Sequence, residues 1–142
     1  MPSLFDSSVY ISALRAGDEA GLVLQRWARE TPLWLSSVVL EELYAGAARS
    51  DYRIIEKLQR DFERARRVLV PSLGDWAQAG KVLGRLAEKY GYEQIGRARL
   101  TNDALIATSA GRAGIAVVTV NRRGFGRLAE FCPFEWQARS IP

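Results

Sequence analysis

The chain contains no histidine, one cysteine and one methionine in 142 residues. Without histidine, Ser-His-Asp and Cys-His catalysis, imidazole metal ligands and imidazole general bases are excluded together. The lone Cys132 excludes an internal disulfide and a cysteine-based zinc centre. Acid–base or metal chemistry must therefore rest on carboxylates, Lys, Tyr, hydroxyls or water. Lysine is scarce too: three Lys stand against seventeen Arg, within a formal net charge of +4. Arginine favours bidentate contact with phosphate or carboxylate, and a basic balance favours polyanionic partners. The count alone decides nothing, because a GC-rich genome yields the same bias. No apolar run reaches the ~18 residues of a membrane span. The start, Met1-Pro2-Ser3-Leu4-Phe5-Asp6, lacks a basic segment and meets a charge at once, unlike a secretory signal. A cytoplasmic location without membrane association is expected.

What is present suits a single domain over residues 1–142: a 48% hydrophobic and 25% charged composition, with no repeat, low-complexity stretch or linker. Short apolar runs read as strands at Ser3-Leu4-Phe5, Leu33-Trp34-Leu35, Val68-Leu69-Val70 and Ala116 to Val120, with Phe134-Glu135-Trp136 as an edge strand. Helical stretches read over Val9 to Leu14, Glu19 to Arg29, Val38 to Ala48, Asp51 to Arg66, Asp75 to Tyr90 and Leu100 to Gly111, with a loop at Gly91 to Arg99 and a loop or short turn at Asn121 to Gly126. Asp6-Ser7-Ser8, Ser36 or Ser37, and Asp51 are candidate N-caps. Strands alternating with helices predict an α/β fold with a parallel sheet covered on both faces. The functional crevice of such a sheet lies beyond the carboxyl ends of its strands, where Asp6, Ser36-Ser37 and Asn121 fall.

Three carboxylates sit in apolar or strand-terminal surroundings. Asp6 follows the first strand, where a helix cap alone would account for it. Glu42 has Val38, Val39, Ala45 and Gly46 three and four residues away, so it lies on the inward stripe of its helix, with Glu41 only slightly less inward. Asp103 is flanked by Leu100, Ile106 and Ala107 at the same spacings, near a helix start whose dipole would also favour an acid. Buried carboxylates are costly unless paired, protonated or bound to a cation. If the three meet, a hard divalent cation would relieve their repulsion. Mg²⁺, or Mn²⁺ as a substitute, suits an all-oxygen site. Such a cation can activate water and stabilise charge on a phosphate.

These segments resemble the PIN-domain family, most closely its VapC-type toxins. Leu4-Phe5-Asp6-Ser7-Ser8-Val9 is similar to the family's opening strand. Leu35 to Gly46 is similar to its second motif, a register that selects Glu42 over Glu41. Thr101-Asn102-Asp103-Ala104-Leu105-Ile106-Ala107 is similar to the third motif, and Val117 to Phe125 to the last strand and loop. The resemblance spans nearly the whole chain. It implies a PIN-like, Rossmann-like α/β/α sandwich with a short, mostly parallel sheet, and Mg²⁺-dependent endoribonuclease activity as the toxin of a toxin–antitoxin pair. It further implies an antitoxin partner, homodimers, and Asp6, Glu42 and Asp103 as the catalytic, metal-binding acids. Asn121 stands where a fourth acid often occurs and Gly124 where another aspartate often follows. Asn121 can serve at most as an auxiliary ligand, which puts a two-metal mechanism in doubt. Arg97, Arg99, Arg122, Arg123 and Arg127 are the candidate RNA-phosphate contacts. Trp27, Trp34, Trp76 and Trp136 read as core or interface aromatics. The alternatives are an RNA-processing PIN nuclease without antitoxin and a non-catalytic PIN-like scaffold. A receiver domain is disfavoured because no acid pair follows the first strand and the last lysine is Lys89. An Asp-x-Asp phosphatase is disfavoured because Ser8 takes the second acid's place.

Overall fold

Leu4 and Phe5 are almost completely buried, and so are all four residues Ala116–Thr119. Strands that bury both faces belong in the middle of a sheet. The computed structural model, which describes residues 1–16, 26, 29–91 and 98–139, places them there. Five strands, β1 (Ser3–Phe5), β2 (Leu33–Ser36), β3 (Val68–Leu69), β4 (Ala116–Thr119) and β5 (Trp136–Ala138), form one sheet in the order β3-β2-β1-β4-β5, with every pair parallel. The expected helix over Glu19 to Arg29 and its Trp27 fall largely outside the described residues.

The described helices are α1 (Ser7–Ala16), α2 (Ser37–Gly46), α3 (Tyr52–Ala65), α4 (Leu73–Tyr90), α5 (Ala98–Ala113) and α6 (Arg122–Leu128), with a single 3-10 turn at Arg49–Asp51. Their ends follow local chemistry. Ser36 caps α2, its side chain accepting from the Val38 N–H at 3.2 Å. Ser72 and Asp75 form a reciprocal capping box at the head of α4, so that helix starts at Leu73 rather than at Asp75. Gly91, at φ 105°, ends it in a conformation that favours glycine. Asp51 closes the 3-10 turn and makes no side-chain cap bond, contrary to the cap expected of it.

Helix α5 crosses the core, with every residue from Asp103 to Ala110 buried. It packs closely enough on the segment before β5 that a Cβ on Gly111 would lie 2.4 Å from the Pro133 carbonyl oxygen. Leu4, Phe5, Leu35, Leu105, Ile106, Val117, Val118, Phe125 and Leu128 belong to one continuous apolar core. Trp34 and Trp136 pack partly buried against it, whereas Trp76 is 55% exposed.

Two expected boundaries are corrected. Asn121 to Gly126, expected as a loop or short turn, enters the seven-residue helix α6, because Asn121 accepts from the Gly124 N–H at 3.2 Å and Phe125 and Leu128 are buried. The edge strand is Trp136–Ala138, in register with Val117–Thr119, while Phe134 turns its ring edge-on to Phe125. No helix among the described residues is long and apolar enough to cross a membrane.

Candidate active site

From β1 the chain builds outward through β2 to β3, then returns to β4 on the other side of β1. That reversal is a topological switch point, and in open α/β sheets ligands bind beyond the carboxyl ends of the strands there, here β1 and β4. The two residues at that point are Asp6, immediately after β1, and Thr119, the last residue of β4.

Asp6 is 3% exposed and held by both of its oxygens. Its Oδ1 accepts from the Ser8 N–H at 3.0 Å and from the Ser8 hydroxyl, with a longer contact from the Val9 N–H at 3.4 Å. Its Oδ2 accepts from the Thr119 hydroxyl at 2.7 Å. The two hydroxyls are themselves anchored: Thr119 Oγ1 accepts from the Asn121 N–H at 2.8 Å, and Ser8 Oγ from the Val120 N–H at 3.2 Å. Asp6 therefore caps α1 and also ties β1 to the end of β4. Burial pushes its pKa above the usual carboxylate value, more strongly than the bonds from Ser8, Thr119 and Val9 pull it down.

The period of α2 turns Glu41 out to solvent and leaves Glu42 half-buried. Burial raises the pKa of Glu42. The Ser7 and Asn102 side chains lower it, and the charges of Asp6 and Glu41 raise it further. Glu42 Oε1 is buried without a hydrogen-bond partner. Asp103 is 6% exposed, in the second turn of α5 rather than the first. Its neighbour Asn102 donates from Nδ2 to Glu41 Oε2 at 3.1 Å, bringing the two acid-bearing helices together.

The structure thus brings Asp6 and Glu42 within electrostatic reach and sets Asp103 beside a residue that touches α2. It does not close the three into a ready cage. Among the described residues, no three Asp, Glu, Cys or His side chains lie close enough together to hold one ion. Asp6 already accepts at both oxygens, from Ser8 and Val9 at Oδ1 and from Thr119 at Oδ2. Asn121 uses its side-chain oxygen to cap α6. A Cβ on Gly124 would lie 2.6 Å from Asn121 Nδ2, so the absence of a side chain at 124 and the cap at 121 belong together.

Of the candidate arginines, Arg122 and Arg123 are exposed in the first turn of α6, next to the crevice in sequence. Arg127 stacks 4.2 Å from the centre of the Tyr90 ring. Tyr90 in turn donates to Glu130 Oε2 at 2.7 Å, so this group braces the end of α4. Arg97 lies outside the described residues, as does the side chain of Arg99. Sequence reasoning missed Ser7, Ser8, Asn102 and Thr119 as parts of the site. Thr119, at 0% exposure, stands inside the largely β-branched run Ala116–Val120 and carried no sequence signal that set it apart.

An open, wholly parallel sheet flanked by helices, with buried Asp6 at its switch point, defines an α/β domain. The chain belongs to the PIN-domain family, which matches residues 3–131. A comparison with curated proteins finds no match. Among solved structures, the chain is similar to the DNA-bound VapBC of Salmonella typhimurium (TM-score 0.68, 22% identity, 97% of this chain and 98% of that one). It is similar as well to VapBC-1 of nontypeable Haemophilus influenzae (0.66, 23%, 97% and 98%). A third is VapBC2 of Rickettsia felis, bound to a promoter DNA fragment (0.62, 22%, 99% and 100%). At these identities the likeness shows a shared fold.

Proposed function

We propose that this chain is a divalent-metal-dependent endoribonuclease and the toxin of a VapBC-type pair. The observation that carries the reading is the acidic crevice at the switch point, where buried Asp6 faces the charge of Glu42 and Glu42 Oε1 has no partner. Membership of the PIN family, whose members are generally nucleases, supports hydrolysis of phosphodiesters. The VapBC neighbours support a cognate antitoxin. Homodimers belong to the same reading.

The three carboxylates do not form a closed ion-holding cluster as they stand, but their chemistry suits a hard cation such as Mg²⁺, with Mn²⁺ as a substitute. The donor set is all oxygen, an orphaned carboxylate oxygen needs a partner, and two acids repel each other. Asp6, Asp103 and Glu42 would hold it; Asn121, whose oxygen accepts from the Gly124 N–H, would serve as an auxiliary donor only through that oxygen's second lone pair. When bound, it would activate water and stabilise the charge that builds on the scissile phosphate. Asp6 is kept in one orientation by Ser8 and Thr119. Glu42, its carboxyl pushed up by burial, is suited to accept a proton from the attacking water. Arg122 and Arg123 would grip phosphates at the mouth.

The test is cleavage of a mixed RNA pool with Mg²⁺, with EDTA, and by Asp6→Asn and Asp103→Asn proteins shown to be folded. Metal-dependent cleavage lost in both variants is expected. No cleavage by folded wild type with Mg²⁺ or Mn²⁺ would favour a second reading, a non-catalytic PIN-like scaffold, which the capping role of Asn121 also supports. Cleavage without any antitoxin gene nearby would favour an RNA-processing PIN nuclease.

A further inference from the structure

One amide at the rim of the crevice serves two carboxylates. Asn102 Nδ2 donates to Glu41 Oε2 at 3.1 Å, and the same side chain lies against the carboxyl of Glu42. From the other side, Ser7 reaches the Glu42 carboxyl from α1. The residue after Asp6 and the residue before Asp103 thus converge on the third acid. A carboxamide nitrogen carries two N–H groups, enough to bind two carboxylates at once. Remove it, and the adjacent Glu41 and Glu42 keep their mutual repulsion without a donor to absorb it.

We propose that Asn102 is a positioning residue that draws Glu41 aside and sets the Glu42 carboxylate in the orientation a divalent cation needs. The inference rests on reading the crevice as a metal site, and it adds a residue that would not itself ligate the ion. Side chains that orient metal ligands typically alter affinity 10–100-fold when removed.

The test is titration of the full chain with Mn²⁺ by calorimetry and by the Mn²⁺ paramagnetic resonance signal, with metal-free melting recorded for each protein. Asn102 is only half-buried, so Asn102→Ala is expected to melt near wild type while losing about 10–100-fold in Mn²⁺ affinity. If Asn102 acts by restraining Glu41, adding Glu41→Gln to Asn102→Ala should restore most of that loss, which a merely structural role would not allow. Wild-type affinity in Asn102→Ala, or no rescue by Glu41→Gln, overturns the proposal alone. No Mn²⁺ binding by wild type overturns the metal-site reading and the proposal with it.

Discussion

Four donors bond to the carboxylate of Asp6, yet burial still lifts its pKa above the ordinary value. The ionised side chain therefore costs stability in the metal-free protein, and the sign of the pH dependence follows. An acid whose folded pKa is raised contributes stability fully present below its unfolded pKa, near 3.8, and loses it as pH rises through the folded value. Asp6→Asn keeps the shape and removes the titration. Metal-free Asp6→Asn should be more stable than wild type at pH 7, on the order of 1 kcal/mol, with the gap closing toward pH 3. Paired urea titrations at the two pH values measure this, and a variant less stable at both would contradict it. Millimolar Mg²⁺ should reverse the order at pH 7, because only wild type gains binding energy. The burial of Asp6 and the half-buried place of Glu42 were legible in the sequence, one from its position after an apolar run and the other from helical period. Thr119 was not, because a β-branched residue in a strand reads as a strand former whatever its hydroxyl does.

Helix α5 buries every residue from Asp103 to Ala110, and at its carboxyl end Gly111 and Arg112 are held in different ways. The Pro133 carbonyl is backbone and cannot swing away from a Cβ on Gly111. Gly111→Ala should cost about 1–3 kcal/mol, read as a lower urea midpoint at unchanged slope. A neutral outcome would mean that the segment before β5 moves freely. Arg112 clasps Asp75, with Nε 2.9 Å from each carboxylate oxygen, and so ties α5 to the capping box of α4. Burial pushes the pKa of Asp75 up, but the bonds from Arg112 and Ser72 outweigh it and hold the group below the usual range. This contribution is present above the unfolded pKa and is lost as pH falls through the lowered folded value. Arg112→Ala should therefore lower the melting temperature at pH 7 and converge on wild type in strong acid. Melting curves across pH would refute this if the difference persisted there. Strands β1 and β4 could be read directly, since continuous burial writes them as largely apolar runs, and β2, half-buried at Leu33 and Trp34, showed as a short apolar run after Pro32. Helix α6 could not: Gly124, Gly126 and two arginines give a seven-residue segment low helix propensity, and it forms because Asn121 caps it and Phe125 and Leu128 are buried. The register of β5 was equally hidden, because pairing with β4 sets it rather than its own pattern.

At the scale of the whole molecule, most of the charge lies away from the crevice in sequence. Residues 49–67 hold seven Arg and Lys against four Asp and Glu, a net +3 of the chain's +4. Arg53, Lys57, Arg60 and Arg64 fall on one exposed stripe of α3, opposite the face that buries Ile55. Charge counting alone would send RNA there. The stripe is interleaved with Glu56, Asp61 and Glu63, however, and Lys57 is already paired with Asp61 at 2.8 Å. Opposite charges within one Debye length, ~8 Å at physiological salt, largely cancel toward a distant polyanion. Arg122 and Arg123 carry less charge but have no acid between Asp103 and Glu130 in sequence, and they open the helix that follows Thr119. Placement should outweigh count. For single-stranded RNA bound to the Asp6→Asn protein, which the proposed function expects not to cleave, each lost phosphate contact lowers the slope of log K against log salt by about 0.7. Replacing Arg122 and Arg123 by Gln in that background should lower it by about 1.4, whereas replacing Arg53, Arg60 and Arg64 by Gln should leave it nearly unchanged. The reverse pattern would move the RNA path off the α6 side of the crevice and onto α3.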